Sequence, residues 1–357
     1  MLQRLGTTLA FTFLLVGCAG GSLGRVGGDN ALPKELPNEM KEKFEVRDAP
    51  VAPETSDSAK VAKTELVLST PSPTPSSLVP APKLKKKSTP AKAAAASFTS
   101  ATSSASVGVP SPVQYPNRRP QRDPIWMGEK QVYEITYFGM AAGDFTLQIL
   151  PHKIVANRKV YHVRGTAVSS KVFSLFYRIN DQIETFVDYE GLFSHRFHIL
   201  LDETKQTRDS LELYDSEKLQ TFYWNRWNRK EKGYVESKEF FPIPQFPQDS
   251  LSALYYLRSR DLPDGAVITF PVVNEGKSWE AVVTVLRREM VDSPMGRIRA
   301  IVLKPETKYQ GVLQKKGDSF VWLSDDDRRI LLRLEAKVRI GTVAAQLKSL
   351  EPGQPAP

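Results

Sequence analysis

The 357-residue chain has little of the side-chain chemistry on which most catalytic sites are built. It holds one cysteine, Cys18, and four histidines, His152, His162, His195 and His198. With no second thiol there is no internal disulfide, so packing and sheet hydrogen bonds must hold the fold. A zinc site needs several nitrogen, sulfur or carboxylate ligands at regular spacing, and the histidines lack such neighbours. They read as surface or rim residues, and no metal or other cofactor is implied. No Gly-x-Ser-x-Gly elbow, phosphate loop or dinucleotide fingerprint occurs, so no catalytic residue is assigned. Carboxylate pairs such as Asp181 with Glu184 still leave open an enzyme acting on glycan or lipid. Beyond the N-terminus no apolar run approaches the ~20 residues of a membrane-spanning helix.

The N-terminus carries the strongest signal. Arg4 supplies a positive start, Leu9 to Val16 form a short apolar stretch, and small residues follow, which is the build of an export signal. Leu15-Val16-Gly17-Cys18 resembles the lipobox of bacterial lipoproteins. The resemblance implies that residues 1–17 are a removed signal peptide and that Cys18 is acylated, with chains such as palmitate, making the lipid bilayer the first partner. Residue 19 is Ala rather than the Asp that resembles an inner-membrane retention signal. The analogy therefore places the protein on the outer membrane, facing the periplasm.

Composition changes near residue 124. Residues 18–124 are rich in Pro, Ala, Ser and Lys and poor in large apolar side chains, so they are expected to be a disordered tether. A flexible chain of that length would span about 50–60 Å r.m.s.. Deleting residues 25–118 should then leave the folded part intact. Most of the basic excess also lies here: residues 1–124 hold 16 Lys and Arg against 10 Asp and Glu, leaving 33 against 30 beyond. The Lys83-Leu84-Lys85-Lys86-Lys87 cluster reads as a solvated linker run, and no nucleic-acid motif accompanies it.

Residues 125–350 are long enough for one core, with 351–357 as a flexible tail. Their period is that of strands: Tyr133, Ile135 and Tyr137 alternate with polar residues, as do Phe145, Leu147 and Ile149. Similar stretches follow as far as Leu331 to Arg339. The pattern predicts a mainly β fold, an antiparallel, strongly curved or barrel-like sheet. One segment has helical spacing, with Leu251, Leu254, Tyr255 and Leu257 after Asp249-Ser250. It predicts one main amphipathic helix at about 249–260, packed on the open face of the sheet. A short helical turn is expected near Val172 to Phe176.

Three blocks then carry a family resemblance: Gly128-Glu129-Lys130-Gln131-Val132-Tyr133, Gln248-Asp249-Ser250-Leu251 through Leu257-Arg258, and Val321-Trp322-Leu323-Ser324-Asp325-Asp326. In this order they resemble the exported bacterial family DUF3108, over nearly all of residues 126–348. The resemblance implies an envelope protein with a curved β-sheet and no established activity. More loosely, the architecture is similar to lipoprotein-localisation carriers. On that analogy Tyr133, Tyr137, Phe145, Leu254 and Tyr255 would line a cavity for acyl chains; otherwise they fill a core. In Phe222-Tyr223-Trp224-Asn225-Arg226-Trp227 the aromatics cannot share one face of a strand, making Tyr223, Trp224 and Trp227 a candidate binding rim. The expected role is a noncatalytic binding module for an amphiphile, lipoprotein or envelope polymer. The alternative is a structural component that docks on an envelope protein.

Overall fold

A computed structural model describes residue 32, residues 36–50 and residues 113–355, apart from 311, 314–317 and 338–340. The chain divides into two units, residues 1–50 with 113–357 and residues 51–112, and all described residues belong to the first. Cys18, the signal segment and most of the expected tether lie outside the described residues.

The elements run α1 (Asn38–Phe44), β1 (Arg47–Asp48), β2 (Lys130–Tyr137), β3 (Met140–Val155), β4 (Arg158–Ser169), α2 (Lys171–Ser174), β5 (Asn180–Asp188), β6 (Ser194–Asp202), β7 (Gln206–Asp215), β8 (Gln220–Arg229) and β9 (Gly233–Pro242). There follow α3 (Ser252–Arg258), β10 (Val267–Asn274), β11 (Lys277–Ser293), β12 (Gly296–Tyr309), β13 (Val312–Leu313), β14 (Ser319–Ser324), β15 (Leu331–Lys337) and β16 (Thr342–Glu351). One antiparallel sheet holds every strand, in the order β10-β11-β12-β14-β15-β16-β2-β3-β4-β5-β6-β7-β8-β9, with β1 added to β3 and β13 to β12. It is two up-and-down meanders joined where β16 pairs with β2. Short turns permit this: Ala156 and Asn157, both at positive φ (51° and 58°), make the two-residue turn between β3 and β4. The two apolar runs on either side of Leu150 belong to one strand, because a register shift between Leu150 and Lys153 bends β3 without ending it.

The sheet curls until its two ends meet, yet no ladder closes it. Its edges, β9 and β10, are joined by residues 243–266, which cross the seam. Gln248 pairs in parallel with Val272, and the backbone N–H of Ser194 donates to the Pro247 carbonyl at 2.9 Å. The β10–β11 turn is clamped to β7: the N–H groups of Glu275 and Gly276 donate to the Glu212 carboxylate at 2.8 and 2.9 Å. Gly276 is at φ +69°, and a Cβ there would lie 2.2 Å from the Phe241 ring of β9, so glycine is required where the ends touch.

The helix predicted at 249–260 is shorter, Ser252–Arg258, because a turn precedes it. Asp249 acts from outside, its Oδ1 accepting from the N–H groups of Leu251 and Ser252, both at 2.7 Å. Leu251, Tyr255 and Leu257 join the main core between the two arms of the sheet. The predicted turn near residue 172 is α2.

Three boundaries need correcting. Residues 36–48, expected in the tether, dock on the outer face of β4–β8. Met40 and Phe44 on α1 and Leu36 just before it, four residues apart, form a second core with Val155, Val160, Phe186, Leu211, Leu213, Phe222 and Trp224. This apolar part of the face would otherwise meet water. Residues 113–124 also pack: Tyr115 stacks on Phe193 at 6.0 Å, and the Arg118 N–H donates to Glu190. The expected tail is likewise held, because β16 runs to Glu351 and the Gln354 N–H donates to the Met127 carbonyl at 2.8 Å.

Candidate functional site

The residues expected to line a cavity are mostly core. Tyr133, Phe145 and Tyr255 are buried in the main cluster, Leu254 packs against it, and Tyr137 is half-buried with its ring against Phe138. The expected rim is divided between the two faces of β8. Trp224 is 4% exposed beneath α1, and its indole N–H donates to Glu236 at 2.9 Å. Tyr223 and Trp227 lie on the opposite face and are half-buried, the first accepting from Arg208 and the second donating to Gln206.

The three blocks that carry the family resemblance meet at one point. Glu129, 1% exposed, takes both guanidinium nitrogens of Arg258 at 2.7 and 2.8 Å and a further bond from Arg328. Gln131 donates to Glu129 and accepts from the Tyr133 hydroxyl, which also donates to the Leu331 carbonyl. Arg258 donates as well to the Pro124 and Arg328 carbonyls. Burial works against the Arg258 charge, but Glu129 outweighs it and keeps the guanidinium protonated. In the third block, Ser324 Oγ donates to Asp326, whose Oδ1 accepts from the N–H groups of Arg328 and Arg329. The acidic run is thus a turn that presents Arg328 to Glu129.

Over this latch lies an open cleft of about 680 Å³, lined by Arg119, Arg122, Asp123, Trp126, Tyr189 and Asp327 among others. Its aromatic faces are already covered, Arg328 lying 3.5 Å from the Trp126 centroid and Arg119 3.9 Å from that of Tyr189. Its charges pair with one another, Arg119 with Asp123 and Arg122 with Asp327. None of the expected cavity residues lines it.

The most exposed large apolar side chains among the described residues, Val172, Leu175 and Phe176, stand at the opposite end of the sheet. The β2–β3 turn presents Phe138 and Met140, 57% and 63% exposed, and the loop through α2 presents Val172, Leu175 and Phe176, 71%, 82% and 77% exposed. These turns touch: the Ser170 N–H donates to the Ala142 carbonyl at 2.8 Å, and its hydroxyl to that of Ala141. Ser170 also caps α2 by accepting from the Phe173 N–H. Behind them Tyr177 donates to Glu203, and Arg178 grips Asp202 through two bonds of 2.7 and 2.8 Å. A patch of this kind on anchored turns is uncommon on a protein surface that meets only water.

The comparisons with known proteins concern the β-domain as a whole. A family described as "protein of unknown function (DUF3108)" matches residues 132–348. The chain belongs to the DUF3108 family. No curated protein matches it. Among solved structures it is similar to a β-barrel-like DUF1849 protein from Brucella abortus (10% identity, TM-score 0.42, covering 63% of this chain and 98% of that one). It is also similar to a candidate lipoprotein from Parabacteroides distasonis (10%, 0.29, 67% and 100%) and to a candidate exported protein with a YmcC-like fold from Bacteroides fragilis (9%, 0.29, 66% and 98%).

Sequence reasoning missed the charged ladder on the outer face of this DUF3108 domain. Arg164 pairs with Glu184 at 2.6 Å, and Arg226 and His198 with Asp209, while Arg196 lies fully buried and donates to the Phe44 carbonyl at the end of α1. Two histidines are therefore not surface residues: His162, 3.3 Å from Glu184, and His195, 3.0 Å from Asp188, are buried. Burial raises the Glu184 carboxyl, but His162 and Arg164 outweigh it and bring it to about 2. His152 moves down to about 4 through burial and Lys159. Asp181 is pushed up to about 8 by burial and by Glu203, and its partner is Glu203 rather than Glu184. Alternation identifies which of these residues share a face, but not that α1 would cover them. Among the described residues, no group of three or more His, Asp or Glu side chains is placed to hold a metal ion. The buried hydroxyls of Ser194 and Thr185 donate to Asp249, so they serve the turn before α3.

Proposed function

We propose that this DUF3108 protein is a noncatalytic binding module of the cell envelope, anchored through acylated Cys18 on the outer membrane and facing the periplasm. Its working surface is the apolar rim formed by the β2–β3 turn and the α2 loop. The single observation that carries this reading is the exposure of Phe138, Met140, Val172, Leu175 and Phe176 side by side on two anchored turns. The ligand is apolar, the acyl part of an amphiphile or an apolar segment of an envelope protein, and it is met at a surface because the inward aromatics are packed together. Polar envelope polymer fits the rim poorly. The cleft over Glu129 supports no competing role, since its cations and aromatic faces are already engaged with each other.

Two measurements test the proposal. Fractionation of the natural host should place the wild type in the outer membrane and release Cys18→Ser, because a hydroxyl cannot take a thioether-linked lipid. Native mass spectrometry with solvent extraction should find an amphiphile or envelope protein with the wild-type chain. The double variant Leu175→Ser/Phe176→Ser should lose it. Retention of Cys18→Ser would refute the anchor, and an unchanged complement on the double variant would refute the rim.

A further inference from the structure

We infer that the occupant of the apolar rim is the lipid surface itself, the same bilayer that holds Cys18, and that docked α1 keeps the rim within its reach. The inference rests on the anchoring reading above. Its first support is chain length. Only 18 residues separate Cys18 from Leu36, which is 3% exposed in the second core. However they are arranged, 18 residues span at most about 60–65 Å. Were α1 undocked, the next fixed points of the chain would lie near Val113, and the limit would rise to about 310–340 Å. The longest strands of the domain hold 16 and 17 residues and run about 50–60 Å. The short segment can therefore pass along the domain and bring the far rim to the membrane, and even fully extended it leaves the rim within about 110–125 Å, a third of the reach with α1 undocked. Confinement on that scale raises the local concentration of the surface to about the millimolar range, enough for a weak contact to be occupied.

The second support is the character of the patch. Its side chains stand on the tips of turns, which suits insertion among headgroups better than filling by a small ligand. The carboxylates beside these turns are paired with cations, Asp202 with Arg178 and Asp144 with Lys348. The exposed Lys171 opens α2 next to Val172. An anionic bilayer would therefore meet little opposing charge, and one lysine would favour it.

The test uses the full chain carrying Cys18→Ser, so that no acyl anchor contributes, mixed with phosphatidylethanolamine vesicles made with and without about a quarter phosphatidylglycerol. The expected result is co-flotation, stronger with phosphatidylglycerol, and weakened at least tenfold by adding Leu175→Ser and Phe176→Ser. Both residues are largely exposed, so the melting temperature should not change. Phe44→Ala in the same background should float as well as its parent, because α1 sets reach and makes no lipid contact. Failure to float, or flotation untouched by the rim substitutions, would overturn the inference. Concentration-dependent dimerisation that the same substitutions abolish, without flotation, would assign the rim to a second copy and overturn it too. Host fractionation reads separately: a rim that floats in a chain whose wild type is soluble in its host would overturn the anchor and leave the rim standing.

Discussion

Phe44→Ala is the perturbation that best separates a docked segment from a tether. Phe44 is fully buried between Phe186, Leu213, Phe222 and Trp224, and its carbonyl accepts from the buried Arg196. Truncating a buried phenylalanine to alanine costs about 3–5 kcal/mol where the surroundings stay in place. For a folded body of this size each kcal/mol moves the melting temperature by about 2–4 °C, so a cooperative response would lower it by about 6–20 °C. A second outcome fits the same geometry. Because α1 has only seven residues and packs from outside, the segment could instead leave the sheet, and the loss would then be capped at its docking free energy. Hydrogen exchange separates the two, since undocking removes protection from residues 36–48 and from β1 while the β5–β8 core stays protected. If Phe44→Ala matched the wild type in both melting and exchange, residues 36–48 would be tether and the second core would be wrong. The same packing argues against deleting residues 25–118, which would remove α1, β1 and Tyr115.

Other perturbations follow from the buried polar groups. Arg258→Met should cost about 3–5 kcal/mol in urea unfolding, because it leaves Glu129 buried with one cationic partner, Arg328, and the Gln131 amide; the double variant Glu129→Leu/Arg258→Met should recover much of that loss. Burial raises the Glu212 carboxyl to about 7, and burial with Glu203 raises Asp181 to about 8. Both folded groups hold protons that the unfolded chain has released, so stability should fall as pH rises from 6.5 to 8.5. Glu212→Gln should flatten the lower part of that slope, and a wild type that gains stability over this range would contradict the assignment. Asp249 accepts from Thr185, Ser194, Leu251 and Ser252. Asp249→Asn keeps acceptor capacity and should melt well above Asp249→Ala, which takes the acceptor from two backbone N–H groups and the Thr185 hydroxyl, while Ser194 keeps the Ser252 hydroxyl.

The sheet was legible because its signal is local. Strict alternation in Tyr133 to Tyr137 and Phe145 to Ile149 defines strands whichever neighbours they find, and short turns force antiparallel pairing. The Asp249-Ser250 signal marked the start of the helical segment, and the length was overestimated because Asp249 holds a turn that begins three residues before the helix. What escaped was non-local. Residues 36–44 offer three apolar side chains in a segment dominated by Lys and Glu, and nothing in Leu36, Met40 and Phe44 reveals that Phe222 and Trp224 lie ready to receive them. For the same reason Trp224 resembled a rim residue: alternation on β8 gives two faces, and only the position of α1 decides that the second is dry. The exposed apolar turns were missed because a helical turn carrying Val172, Leu175 and Phe176 looks no different from a core turn until its burial is known.

The convergence at Glu129 joins three segments that lie far apart in the chain. A curled sheet that does not close needs its inner helix fixed relative to the strands it covers, since sliding of α3 would disturb the seam at Gln248 and the turn at Asp249. Apolar contacts alone are tolerant of such sliding, whereas two guanidinium nitrogens held by one carboxylate are not. Glu129 stands just before β2, Arg258 ends α3, and Arg328 lies between β14 and β15. Joining them ties the helix to strands on both sides of the β16–β2 junction, where the two meanders meet. One carboxylate lies between two guanidinium groups, and the carbonyls of Pro124 and Arg328 accept further N–H groups of Arg258. The latch thereby holds the frame that presents the exposed turns at the other end.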